Sequence, residues 1–191
     1  AREAAAWVVE LERGRRDGRT IAVEVKGKHT IDTPGGPFTI TAKADRIEVT
    51  RDGFGHVLDY KTGKAPSKKE VATGFSPQLT LTAAILANGG FPGLGSPAPG
   101  ELTYLEITGR KPAGRVETRA APQPEGDKQL QSDLIVAQAL DGLAELVARF
   151  DNPRQPYLSR TAPQFVKARI SDYDHLARVF EWSTSGEDGD E

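Results

Sequence analysis

A mixed α/β fold is the expectation for this chain, and three observations carry it. Helical spacing of apolar residues gives way to strand-like alternation near residue 20 and returns near residue 77. Three extended stretches follow one another with turn-forming residues between them. A helical stretch then separates the third extended stretch from a fourth. A crossover helix between two strands suits a parallel pair, so the order helix, three strands, helix, strand, helix reads as a mixed central sheet flanked by helices.

Each element has its own signal. Ala4, Trp7, Val8 and Leu11 recur at helical spacing, with Glu3, Glu10, Glu12, Arg13, Arg15 and Arg16 on the opposite face. This amphipathic helix stops between Gly14 and Gly18. Residues 20–31 are β-branched and partly alternating, hence a strand. Thr33-Pro34-Gly35-Gly36-Pro37 is a turn. Strands follow at about 38–50 and 56–61, joined through Arg51-Asp52-Gly53-Phe54-Gly55, which is hairpin chemistry. Residues 77–88 form a helix with Pro77 at its start and Gly89-Gly90 at its end. The Pro- and Gly-rich stretch from Phe91 to Gly100 is loop, and residues 101–108 alternate as a fourth strand. A helix is expected over about 127–149, with Leu130, Leu134, Ala137, Leu143, Val147 and Phe150 on one side. After three prolines a short helical pattern occupies residues 172–182. Residues 184–191 are acidic, lack apolar side chains and are expected to be disordered. Residues 1–183 read as a single domain.

With 191 residues, the chain is long enough to bury a core. Its formal charge of −2 gives no global basic field, so any contact with nucleic acid must rest on a local patch. Having no cysteine excludes disulfides, thiolate zinc sites and Cys-ligated iron–sulfur clusters within this chain. No apolar run reaches the length of a membrane span, no signal peptide is visible, and the expected compartment is the cytoplasm. The chain lacks Met and opens within a helical pattern, so it reads as a piece excised from a longer protein.

Chemistry concentrates in Val57-Leu58-Asp59-Tyr60-Lys61-Thr62-Gly63 and in Ala44-Asp45-Arg46-Ile47 on the preceding strand. Side chains alternate along a strand, so Asp59 and Lys61 share a face. Asp45 joins that face only if the connecting loop holds an odd number of residues. Closing the hairpin at Arg51 and Gly55, or at Thr50 and His56, meets the condition and sets Asp45 opposite Lys61. A left-handed Gly53 or Gly55 would allow such a loop. Two carboxylates, with the Tyr60 carbonyl as a neutral third donor, suit Mg²⁺, a hard cation. Lys61 could orient a water or neutralise charge developing on phosphorus. The plain alternative is that Asp59 and Lys61 merely close a strand before a turn. Asp45, and Gln78 at a helix start, weigh against it.

Asp45-Arg46-Ile47, Asp59-Tyr60-Lys61-Thr62-Gly63 and Gln78-Leu79 together resemble the PD-(D/E)xK nuclease superfamily, with its restriction-endonuclease-like core of order α-β-β-β-α-β-α. Within it the sequence is most similar to the nuclease domain of the RecB/AddB class of helicase–nucleases. Pro156-Tyr157-Leu158-Ser159-Arg160, Pro163-Gln164-Phe165 and the stretch from Asp172 to Ser183 resemble the C-terminal end of AddB proteins in particular. The resemblance implies an Mg²⁺-dependent DNA exonuclease (Mn²⁺ as a substitute) within an ATP-dependent machine for double-strand break repair. DNA and an AddA-like helicase–nuclease subunit would be its partners. It also implies roles: Asp45 and Asp59 as metal carboxylates, Lys61 as the catalytic lysine, and Gln78 as the glutamine of a Gln-x-x-x-Tyr motif.

Three positions depart from that pattern. Thr82 stands where the motif has tyrosine. The upstream His or Glu of the first motif has no match, since Glu10 and Glu12 are wrongly spaced, and it is expected before Ala1. The iron–sulfur cysteines of many AddB proteins are absent. The chain alone is therefore expected to be a weak nuclease. Trp7 and Trp182 read as packing residues, and His29, His56 and His175 are too scattered for a metal cluster. Lys64, Lys68 and Lys69 could touch phosphate or simply coat a solvated loop. No Walker sequence is present, so ATP binding is not expected. Two other functions stay open: a stand-alone nuclease of the superfamily, and a nuclease-inactive fold that binds DNA or braces a partner.

Overall fold

In the computed structural model, which describes residues 2–108 and 111–156, the chain opens with helix α1 (Arg2–Arg15). Strands β1 (Arg19–Thr33), β2 (Gly36–Thr50) and β3 (Phe54–Lys61) follow. A short helix α2 (Lys68–Ala72) precedes the crossover helix α3 (Gln78–Ala87). Strands β4 (Ala98–Ile107) and β5 (Gly114–Ala121) form a hairpin. A 3₁₀ turn at Gly126–Lys128, a two-residue strand β6 (Leu130–Gln131) and helix α4 (Ser132–Phe150) complete the order. Residues 1–152 form one compact unit and residues 153–191 a second. The motifs read at 157–183, the helical pattern at 172–182 and the acidic end lie outside the described residues.

The six strands make one sheet in chain order, β1-β2-β3-β4-β5-β6. Pairs β3/β4 and β5/β6 are parallel and the others antiparallel, so the expected mixed sheet is present. The helix between β3 and β4 makes that parallel pairing possible, because only a long connection can carry the chain back to the same end of the sheet. α3 is buried nearly all round, with Leu79, Ala83, Ala84, Ile85 and Leu86 each at most 1% exposed. They pack on Ile47, Val57, Leu102 and Tyr104 of the sheet and on Ile135 and Val136 of α4. Each such large apolar side chain contributes about 1.5–3 kcal/mol on burial, which holds the crossover helix against the strand that carries the site.

β1 and β2 form a long hairpin closed at Thr33 and Gly36. Its tip is tied to the end of α4: Asp151 Oδ2 accepts the Gly35 N–H at 2.7 Å and the Thr33 hydroxyl at 3.1 Å.

The structure departs from the sequence reading in the second half. β5 was not anticipated, because Arg115, Glu117 and Arg119 alternate with Val116 and Thr118 and leave no strong apolar face. Its pairing with β4 supplies what local pattern lacks. The last helix starts at Ser132 rather than near 127. Its buried face is Ser132, Ile135 and Val136, whereas Leu134 is 60% exposed. The Ser132 hydroxyl donates to the Pro99 carbonyl at 2.9 Å, and this anchor sets the rotation of the helix.

Candidate active site

The two segments singled out in the sequence meet at the carboxyl end of β3. The loop between β2 and β3 holds three residues, Arg51-Asp52-Gly53, with Gly53 at φ +87° and its N–H bonded to the Thr50 carbonyl at 3.1 Å. The odd loop length is as expected, but the register is not. The ladder pairs Val49 with Gly55 and Arg46 with Leu58, and its continuation sets Asp45 across from Asp59, not Lys61. The hairpin closes at Thr50 and Phe54, where the Thr50 hydroxyl both donates to the Phe54 carbonyl and accepts its N–H. These two hydrogen bonds close the hairpin at Thr50 and Phe54, one residue earlier than a loop closed at Arg51 and Gly55.

Asp45 sits where the pleat changes face. Ala44 and Ile47 are three residues apart and both lie in the core, so strict alternation fails between them. Across on β1, the register runs from Val23 opposite Arg46 to Val25 opposite Ala44 and skips the Glu24–Asp45 pair. Glu24 has φ +52°, alone in the left-handed region among the described non-glycine residues. Such a backbone is costly for a residue with a Cβ and persists only where surroundings hold it. Here the Glu24 carboxylate pairs with the Lys43 ammonium. At the switch, the Asp45 carboxylate turns along the sheet, and its Oδ2 accepts the Tyr60 N–H at 3.0 Å.

Asp59, Lys61 and Gln78 form a closed triangle. Lys61 Nζ lies 2.7 Å from Asp59 Oδ2 and donates to Gln78 Oε1 at 2.9 Å. The Gln78 amide donates to Asp59 Oδ1. Gln78 reaches both because it is the first residue of α3 and points down its own helix start onto the end of β3. Asp59 is 4% exposed. Burial pushes its carboxyl above the ordinary carboxylate range against the pull of Lys61, and the Asp45 charge adds to the upward push. Tyr104, the β4 neighbour of Asp59 in the parallel ladder, places its ring centroid 5.6 Å from Lys61 Nζ. Its hydroxyl is buried and has no hydrogen-bond partner among the described residues, and burial first, then the Asp59 charge, push its pKa up to about 12.

These groups suit a hard cation. Asp45, Asp59 and the Tyr60 carbonyl offer oxygen alone, the donor type Mg²⁺ selects. Asp59 Oδ2 is buried, and among the described residues its charged partner is the Lys61 ammonium at 2.7 Å. The Asp45 charge raises the proton affinity of Asp59, and a cation placed between the two carboxylates would relieve that push. Among the described residues no group of three or more His, Asp or Glu side chains is arranged around one point. A cation held here would complete its shell with neutral oxygens and water.

Sequence reasoning missed the support behind the site. Glu48, fully buried three residues beyond Asp45, accepts from Arg15 at 3.1 Å, from Arg46 at 2.7 Å and from Arg19. Arg46 also pairs with Glu12 of α1. This network bolts α1 to the strand that carries Asp45. Its only sequence signal was Arg46-x-Glu48, a charged pair in an apolar strand. Thr82, in place of the motif tyrosine, is 6% exposed inside α3 and faces the core. Trp7 packs against Gly114 of β5, where an added Cβ would meet its ring at 2.4 Å. His56 Nδ1 accepts the Glu101 N–H at 3.0 Å, a structural role.

The mixed sheet thus gathers two carboxylates, a lysine and a helix-borne glutamine at the end of a central strand. The chain belongs to the PD-(D/E)XK nuclease superfamily, whose family profile matches residues 1–160. An uncharacterized protein of Rickettsia felis is 39% identical over 82 residues, 43% of this chain and 10% of that protein. An uncharacterized protein of Rickettsia typhi is 40% identical over 82 residues, 43% of this chain and 9% of its own length. The chain thus matches about a tenth of these curated relatives. Among solved structures, the crystal structure of SSO0001 is similar with a TM-score of 0.38 and 18% identity, covering 73% of this chain and 57% of that one. No helix among the described residues is long and apolar enough to cross a membrane.

Proposed function

We propose that this chain is a metal-dependent deoxyribonuclease domain that hydrolyses phosphodiester bonds. The observation that carries the reading is the Asp59–Lys61–Gln78 triangle with Asp45 beside it at the carboxyl end of β3. Asp45, Asp59 and the Tyr60 carbonyl would hold Mg²⁺, or Mn²⁺ in its place. When bound, the cation would polarise the phosphodiester and lower the pKa of an attacking water. Lys61 is held at 2.7 Å from a carboxylate oxygen, so its ammonium is pre-positioned to steady charge developing on phosphorus. Gln78 fixes the orientation of both side chains. The Asp45 carboxylate accepts the Tyr60 N–H, which ties β2 to β3 beside the two carboxylates.

The finer reading is an exonuclease domain of an AddB/RecB-type helicase–nuclease, cytoplasmic, acting on DNA ends in double-strand break repair beside an AddA-like subunit. Its support is the C-terminal sequence motifs. A stand-alone superfamily nuclease would share the same chemistry, and a nuclease-inactive scaffold would not need Lys61 beside Asp59.

The test is cleavage of linear and circular DNA by the chain with Mg²⁺ or Mn²⁺ at low salt, with Asp59→Asn as control. Metal-dependent loss of linear DNA by the parent alone supports the exonuclease; cleavage of circular DNA points to an endonuclease. Equal rates in parent and control would sink the assignment.

A further inference from the structure

We propose that the cleft between the loop after β3 and the β4–β5 hairpin is a phosphate track that holds the backbone of one nucleic-acid strand. The inference rests on the nuclease reading and names how that site captures its substrate. The cleft is a cavity of about 950 Å³ whose lining begins at Thr62, the residue after Lys61. Glu106 on its wall is the ladder partner of Lys61 across the parallel pair. The cleft therefore opens directly off the candidate active site, at the carboxyl ends of two parallel strands, where open α/β sheets place their ligands.

Its charge runs against that of the chain. Lys64, Lys68, Lys111, Arg115 and Arg119 line it against two carboxylates, Glu106 and Glu117. The whole chain carries −2. Both carboxylates are already committed: Glu106 accepts the Ala65 N–H at 2.6 Å, and Glu117 pairs with Arg119 at 2.7 Å. Arg119 is further held by the Pro66 carbonyl at 2.7 Å, and Lys68 by the Asp127 carbonyl, so the two walls are braced. Lys64 and Arg115 are different: their exposed side chains make no ion pair or hydrogen bond among the described residues. Among the described residues Lys111 has an exposed pairing with Glu3 at 3.5 Å. Uncommitted cations on a braced, concave wall suit a ligand carrying several regularly spaced negative charges.

The lining also says what is not read. It contains no aromatic side chain, so it lacks the stacking platform that single-strand binders use to hold bases. Recognition here is of phosphate, independent of sequence. That is the requirement of an enzyme that must degrade whatever strand it meets.

The test uses the full chain in EDTA, so that binding is read without cleavage. Affinity for a short fluorescein-labelled DNA strand is measured from roughly 50 to 200 mM salt. The double variant Lys64→Gln/Arg115→Gln is compared with Lys26→Gln/Lys28→Gln, which removes the same charge from the β1–β2 hairpin. The expected result is a slope of log affinity against log salt reduced by about 1.5 in the cleft variant, from two lost phosphate contacts, and unchanged in the hairpin variant. Equal losses in both variants, no change in the cleft variant, or no binding by the parent would overturn the proposal. Competition by a deoxynucleoside monophosphate at matched phosphate concentration would also overturn it, by marking a mononucleotide pocket. Binding through the cleft with no cleavage after Mn²⁺ is restored would leave the track standing and remove the nuclease reading instead.

Discussion

The carboxylate of Asp45 accepts the backbone N–H of Tyr60 at 3.0 Å, standing in for the ladder bond that β2 fails to supply beyond Arg46. One residue thus has two jobs, satisfying a strand amide and offering its second oxygen to the site. The jobs separate by substitution. Asp45→Asn keeps an acceptor for Tyr60 and removes the charge, so it is expected to fold normally and lose cleavage. Asp45→Ala is expected to lose cleavage and also about 1 kcal/mol of stability, because a partly buried N–H is left unpaired. Urea unfolding alongside a DNA cleavage assay checks both; a large stability loss in the Asn variant would contradict the division.

Asp59 makes a sharper prediction because burial and Asp45 outweigh Lys61 and raise its proton affinity. The folded chain then binds that proton more tightly than the unfolded chain. Ionising Asp59 therefore costs stability once pH rises above the ordinary carboxylate value near 3.8. In EDTA at neutral pH, Asp59→Asn is expected to be at least as stable as the parent. Adding Mn²⁺ is expected to raise the parent's melting temperature and leave the variant's unchanged, since only the parent binds cation in the folded state. A variant that gains as much from Mn²⁺ as the parent would remove Asp59 from the metal site.

Glu48 behaves in the opposite sense. Burial pushes its carboxyl up, but the hydrogen bonds and charges of Arg15, followed by bonds from Arg46 and Arg19, hold it below the ordinary range. A depressed folded pKa contributes stability above the unfolded value near 4.5, and this is lost as pH falls through the folded value. Glu48→Gln is expected to cost about 3–5 kcal/mol at neutral pH, because three guanidinium groups lose a buried counter-charge. The gap between parent and variant should narrow below pH 4.5. Denaturant titrations at several pH values test the sign; a gap that widens in acid would refute it.

These cases show what could be read from the chain alone. Asp59-x-Lys61 on one strand face, Gln78 at a helix start and the parallel return after α3 follow from local periodicity, so they were legible. The hairpin parity was legible too, but its register was off by two, because the Thr50 side chain closes the loop onto Phe54 rather than one residue later. The pleat switch at Glu24 and Asp45 leaves no periodic trace; it is a tertiary adjustment of two paired strands. β5 was invisible for a related reason, since its charged alternation becomes a strand only against β4. Glu48 could not be picked out in advance because its three arginine partners come from α1, β1 and β2.

Tyr104 is the last test. Its ring fills the core beside Asp59 and lies near Lys61, while its hydroxyl is fully buried and unpaired among the described residues. An unsatisfied buried hydroxyl costs about 1–3 kcal/mol, so a fold selected for stability alone would favour phenylalanine here. The hydroxyl lies close enough to Asp59 for that charge to raise its pKa, and Arg119 on the cleft wall acts on it in the opposite sense. Its proton affinity thus feels both Asp59 and a cation of the cleft wall. Tyr104→Phe is expected to be as stable as the parent or slightly more so, and to cleave DNA more slowly because the polar group beside Asp59 is gone. Tyr104→Ala, by contrast, should lose about 3–5 kcal/mol through the cavity it leaves. Matched urea midpoints and cleavage rates for the parent and both variants decide it: an unchanged rate in Tyr104→Phe would reduce the tyrosine to a packing residue.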